Sequence, residues 1–74
     1  MDQKAFGAFI AELRRAEKLT QRQVADKLHV TDRAVSKWER GLSYPDVTLL
    51  EPLADTLGIG VGELLTCRRR EPDG

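Results

Sequence analysis

The eleven residues ADKLHVTDRAV, positions 25–35, constrain the fold more than any other part of this chain. Apolar residues recur at helical spacing on both sides, with Val24, Ala25 and Leu28 before the join and Val35 and Trp38 after it. One helix therefore ends and another begins inside the segment, and three residues cannot connect two helices in a relaxed way. The chain must turn sharply at position 29, where a positive φ is wanted and glycine is usual. His29 stands there instead, and histidine enters the left-handed region more readily than most non-glycine residues. Ala25 is the small residue where two helices cross closely, and Val35 is the apolar residue that fixes the second one. A metal-ligand role for His29 would need a second His or Cys nearby, and the segment has none.

The rest of the chain follows the same period. No run of β-branched residues alternates with polar ones over five positions, so the fold is expected to be all-α with five helices. The first covers about residues 3–17, with Phe6, Phe9, Ile10 and Leu13 as its buried stripe. The second starts from Thr20, with Gln23 as its capping-box partner, and ends at Leu28. The third, about 31–40, has Thr31 as N-cap and Gly41 as its stop; its apolar stripe of Val35 and Trp38 is too narrow to hold a helix in water, so it must dock on a larger core. Trp38 is accordingly a packing residue. GLSYPD is a loop. For the fourth helix, Thr48 with Glu51 makes a capping box that keeps Pro52 near the permissive first turn, whereas a start at Asp46 puts Pro52 six positions in. A start at Thr48 is preferred, or an irregular first turn from Asp46, with Leu49, Leu50, Leu53, Ala54 and Leu57 inward and Gly58 as the end. The fifth, about 61–66, places Val61, Leu64 and Leu65 on one side.

Seventy-four residues make one domain, 1–66, with 67–74 as a frayed tail or the start of a linker. A core of this size supplies roughly 3–5 kcal/mol, which argues against a deep catalytic cleft and hence against an enzyme. No nucleophile with an adjacent base, no metal cluster and no phosphate-cradling glycine loop is visible, and no cofactor is implied. The longest apolar run is far short of a membrane span, and MDQKAFGAF lacks the form of a secretory signal. A single cysteine, Cys67, excludes an internal disulfide and fits a reducing cytoplasm. Its arginine neighbours could lower its pKa, although an incidental thiol is the simpler reading. Formal net charge is zero, but the distribution is uneven: residues 1–44 carry nine basic and six acidic groups, and residues 45–66 carry four acidic groups and no basic one. A local positive surface can therefore coexist with neutrality.

TQRQVADKLHVTDRAVSKWERG and YPDVTLLEPLADTLGIGVGELL together resemble the Cro and repressor type of helix-turn-helix domain, the Xre family, over about residues 4–66. The TQ opening of the second helix, the SKWERG ending of the third, the P-D after it and LADTLG followed by GELL carry the resemblance in combination. It implies a compact, lambda-repressor-like bundle of five helices, with helices 2 and 3 as the helix-turn-helix, that binds operator DNA.

The resemblance also implies roles. Gln21 would bond a phosphate at the start of the second helix. Arg14 would pair with Glu39 and brace the third helix against the first. Asp32, Arg33, Ser36 and Lys37 would face bases in the major groove: Arg33 and Lys37 suit guanine, and Asp32 could accept from cytosine or steer Arg33. Thr31, Arg40, Ser43 and Tyr44 would touch the backbone. Val61, Leu64 and Leu65 are candidate dimer contacts, with a satellite core as the competing use; a homodimer on DNA would favour a near-palindromic operator. The expectation is a cytoplasmic bacterial or phage regulator of transcription, a repressor, with double-stranded DNA as partner. The rivals are an antitoxin-type protein or an interaction module whose acidic C-terminal half binds a protein.

Overall fold

Each of the first four helices begins where a side chain can take up a loose N–H group of its first turn. In the computed structural model, which describes residues 2–68, α1 (Gln3–Ala16) follows Asp2, whose carboxylate accepts from the Lys4 N–H at 3.0 Å. α2 (Gln21–Leu28) opens with the reciprocal box expected: the Gln23 N–H donates to Thr20 Oγ1 at 3.0 Å and the Thr20 N–H to Gln23 Oε1 at 2.8 Å. α3 (Asp32–Glu39) follows Thr31, whose hydroxyl oxygen accepts from the Ala34 N–H at 3.1 Å. The part of the expected tail at 69–74 lies outside the described residues.

α4 (Val47–Leu57) takes the alternative start, from Asp46, and not the preferred one at Thr48. Asp46 caps it, with Oδ1 accepting from the Thr48 N–H at 3.2 Å, so Thr48 is a residue of the helix and not its cap, and Pro52 sits within it. The physical reason is solvent. Thr48 and Pro52 are both exposed, so the carbonyl that the proline deprives of a donor lies on the wet side of the helix, where water can satisfy it. α5 (Val61–Thr66) is as expected in extent, with the Glu63 carboxylate accepting from the Gly60 N–H at 3.1 Å.

The turn between α2 and α3 is tight. His29 adopts φ 59°, and the Val30 N–H reaches back to the Ala25 carbonyl at 3.0 Å, which satisfies a carbonyl of the last turn of α2 and reverses the chain. α3 then packs on both α1 and α2, while α4 and α5 pack on each other and against α1, with α4 also against α2. The core between them contains Phe6, Ile10, Leu13, Val24, Leu28, Val35, Trp38, Leu53, Leu57 and Leu64. Phe9 was expected in the buried stripe of α1 but is only partly covered, packed at the edge of this core.

A close backbone approach lies between α1 and the end of α3. A Cβ on Gly7 would collide with the Trp38 carbonyl oxygen and would lie 2.6 Å from that of Glu39. Both obstacles are backbone and cannot swing aside. Gly→Ala inside a helix normally stabilises by up to about 1 kcal/mol; here the sign is reversed. Gly7→Ala is expected to cost about 2 kcal/mol and to lower the thermal midpoint by roughly 8–16 °C, read by circular dichroism.

Candidate nucleic-acid interface

α3 is held by its apolar residues and leaves the rest outward. Val35 and Trp38 are buried, whereas Asp32, Arg33, Lys37 and Arg40 are exposed and Ser36 is half-buried. The N-terminus of α2 lies beside this face. Gln21, Asp32, Arg33, Ser36 and Arg40 line one open polar concavity of about 420 Å³. Residues expected to read bases and residues expected to hold phosphate are thereby brought to one place by α3 and the first turn of α2. Lys37 follows Ser36 on the same helix and projects into solvent. Thr31 lines a neighbouring shallow depression with Arg22, Asp26, Val30 and Asp32. Its oxygen is already used as a cap acceptor, and its hydroxyl proton remains available to an acceptor such as phosphate.

The face is anchored from behind by an ion pair. Arg14 Nε donates to Glu39 Oε2 at 2.6 Å and Nη2 to Oε1 at 3.1 Å, while Nη1 donates to the Leu19 carbonyl at 2.8 Å. With side-chain exposures of 12% and 7%, the pair is largely out of water. It joins α1, the loop before α2 and the end of α3. The expected pairing of Arg14 with Glu39 is therefore present. Sequence reading missed a further partner: Gln21 Nε2 donates to Glu39 Oε1 at 3.0 Å. It also passed over Arg22, which neighbours Asp32 and forms an exposed, loose pair with Asp26 at 3.8 Å.

Tyr44 stands in different company. Its ring meets Phe6 edge-on at 5.3 Å between centroids, and the two line an apolar groove of about 350 Å³ with Pro45, Val47, Leu50 and Leu65. Ser43 is half-buried in the preceding loop. The Tyr44 hydroxyl has its pKa raised, first by burial and then by the charges of Asp2 and Cys67. The Cys67 thiol is likewise raised, chiefly by burial and next by Asp2. The direction is opposite to the lowering weighed for it and in keeping with an incidental thiol: Cys67 is packed against the core, which desolvates the thiolate. Among the candidate dimer contacts, Leu64 is 0% exposed and belongs to the core of its own chain, while Val61 and Leu65 are exposed. Leu64 is thus withdrawn from that set.

Removing the cation tests the anchor. Arg14→Ala leaves a nearly buried carboxylate without its partner and the Leu19 carbonyl without its donor. The expected cost is about 3 kcal/mol, comparable to the whole stability of so small a fold. Far-UV circular dichroism at 25 °C should show substantial loss of helix, with the urea midpoint displaced accordingly.

Comparison with known proteins agrees with this geometry. A family model described as helix-turn-helix matches residues 10–64. The chain is 36% identical over 61 residues to the HTH-type transcriptional activator BcrR of Enterococcus faecalis, covering 82% of this chain and 30% of that protein. It is 37% identical over 71 residues to the HTH-type transcriptional regulator y4dJ of Sinorhizobium fredii, covering 96% and 92% respectively. The crystal structure of the restriction-modification controller protein C.AhdI from Aeromonas hydrophila superimposes with a TM-score of 0.79 at 32% identity, over 85% of this chain and 96% of that one. The fold also matches 34% of a hydroxypropylphosphonic acid epoxidase from S. wedmorenis, with a TM-score of 0.76 at 26% identity, so it occurs inside a larger enzyme as well. The chain belongs to the helix-turn-helix family of the Cro and repressor type.

Proposed function

We propose that this chain is a sequence-specific, double-stranded DNA-binding regulator of transcription, acting as a repressor in the cytoplasm. It works by occupying an operator and performs no chemistry. The observation that supports this best is the joint concavity of Gln21, Asp32, Arg33, Ser36 and Arg40 at the exposed face of α3. Donors for phosphate flank donors and an acceptor for base edges there. A helix of this width fits the major groove. Arg33 and Lys37 donate to guanine O6 and N7, Asp32 accepts from cytosine N4 or steers Arg33, and Ser36 serves either base type. Gln21, Thr31, Arg40 and Ser43 hold the backbone on the two sides of the groove, with Tyr44 at the margin through its hydroxyl. The net charge of zero is no obstacle, because nine of the twelve basic residues lie in 1–44.

A homodimer on DNA is part of the reading. Val61 and Leu65 are one helical turn apart on α5 and exposed, and they suit contact with a second copy. Two recognition helices then stand about 34 Å apart, one turn of DNA, and the operator is a near-palindrome. The acidic, partly apolar C-terminal half also favours the alternative that a protein partner docks there.

Selection from a random duplex pool is the decisive experiment. Enrichment of a near-palindrome, with affinity lost steeply as salt rises, is expected; a pool that yields no preferred sequence overturns the reading. With the selected duplex, Lys37→Glu is expected to weaken binding about 100-fold while leaving helical content intact. Arg40→Ala is expected to lower affinity alike for all duplexes and to reduce the slope of log affinity against log salt by about one.

A further inference from the structure

We propose that Glu39 is a positioning residue for DNA binding, acting through Gln21 and touching no nucleotide itself. This rests on the DNA-binding reading above. The Glu39 carboxylate receives three donors: Arg14 Nε at 2.6 Å, Arg14 Nη2 at 3.1 Å and Gln21 Nε2 at 3.0 Å. A carboxylate only accepts, so only the NH₂ end of the Gln21 amide can face it, and the Oε1 end would be repelled. The sense of the amide is therefore fixed by charge. One of its two N–H groups is spent on Glu39, and the other remains for a ligand beside the concavity that Gln21 shares with Arg33, Ser36 and Arg40. A glutamine without such a partner can turn its carbonyl oxygen outward as readily as its nitrogen, and a carbonyl oxygen repels phosphate.

The carboxylate is itself immobile. It is 7% exposed and clamped by a guanidinium that is anchored in turn on the Leu19 carbonyl. The order of the ion pair is thus passed to an amide at the surface. Glu39 ends α3 and Gln21 begins α2, so the same contact also sets where the phosphate donor stands relative to the base-reading helix.

The test uses the duplex obtained by selection, prepared as a series in which single phosphates are replaced by neutral methylphosphonates. In wild type, one linkage per half-site is expected to depend on Gln21, with substitution there costing about tenfold in affinity, the scale of a hydrogen bond to a charged group. Gln21→Ala loses sensitivity at that linkage. Glu39→Gln is expected to lose the same sensitivity while keeping that at linkages held by Arg40. The double variant is expected to be weakened about tenfold, as each single variant is, and not the hundredfold of independent effects. A merely structural role for Glu39 would weaken binding without erasing one linkage from the profile. Retained sensitivity in Glu39→Gln, or losses that multiply, overturns the proposal. If Gln21→Ala binds with an unchanged profile, the proposal falls and the DNA-binding reading stands; if no duplex is selected at all, that reading fails first. Should Glu39→Gln not fold, Glu39→Asp takes its place. It keeps the charge toward Arg14 but draws the carboxylate back from Gln21, and the same loss at one linkage is expected.

Discussion

Arg14 spends its guanidinium inside the domain. Two of its nitrogens hold Glu39 at the end of α3, and the third holds the Leu19 carbonyl in the loop that leads into α2. A planar fork suits this task because its donors point in fixed directions, so three chain segments are set at defined angles by one side chain. Desolvating the charges offsets much of the attraction, and the net stabilisation relative to an apolar core is small. What the contact supplies is register. α3 is short and poor in apolar residues, with Val35 and Trp38 as its only buried ones. Without a directional tie, such a helix could slide or roll on α1 with little loss of buried area.

Gly7 works to the same end by steric means. It lets the backbone of α1 approach the last carbonyls of α3 more closely than any side chain would allow. The approach limits translation, and the ion pair beside it limits rotation. Close-packed interiors transmit strain, so the outward side chains of α3 inherit the precision of these two contacts. The polar concavity can then rest on a helix that buries little of itself.

What could be read in the sequence was local. The capping box of Thr20 and Gln23, the cap at Thr31 and the left-handed turn at His29 each depend on side chains within a few residues of one another, and each is present. The start of α4 is also local, but both the Thr48–Glu51 box and proline chemistry point to Thr48, and the exposure of Thr48 and Pro52 that relieves the proline is not legible in the sequence. Leu64 and Leu65 show the limit of periodicity. They are adjacent on a six-residue helix, and only the placement of α1 and α4 decides that Leu64 is buried and Leu65 exposed. The pairing of Arg14 with Glu39, expected from family resemblance, is present. The bond from Gln21 to Glu39 is not legible in the sequence, because the two are 18 residues apart and the resemblance points each to a different partner. The packing of the Tyr44 ring on Phe6 in an apolar groove was likewise not legible, because 38 residues separate the two.

The arrangement of the helices also gives the neutral chain an electrical direction. The exposed face of α3, with Arg33, Lys37 and Arg40, belongs to the basic stretch 1–44. α4 with its cap Asp46, and α5, carry Asp46, Glu51, Asp55 and Glu63 and no basic residue. A net +3 over residues 1–44 and a net −4 over residues 45–66 give the folded chain a dipole. A polyanion exerts on it little net pull at long range but a torque at short range. Turned the wrong way, the acidic helices are repelled; turned the right way, the concavity is drawn in. Attraction therefore depends on orientation, and it acts within about a Debye length, roughly 8 Å at physiological ionic strength. The same charges that draw the α3 face toward an anionic surface thus disfavour approach by α4 and α5.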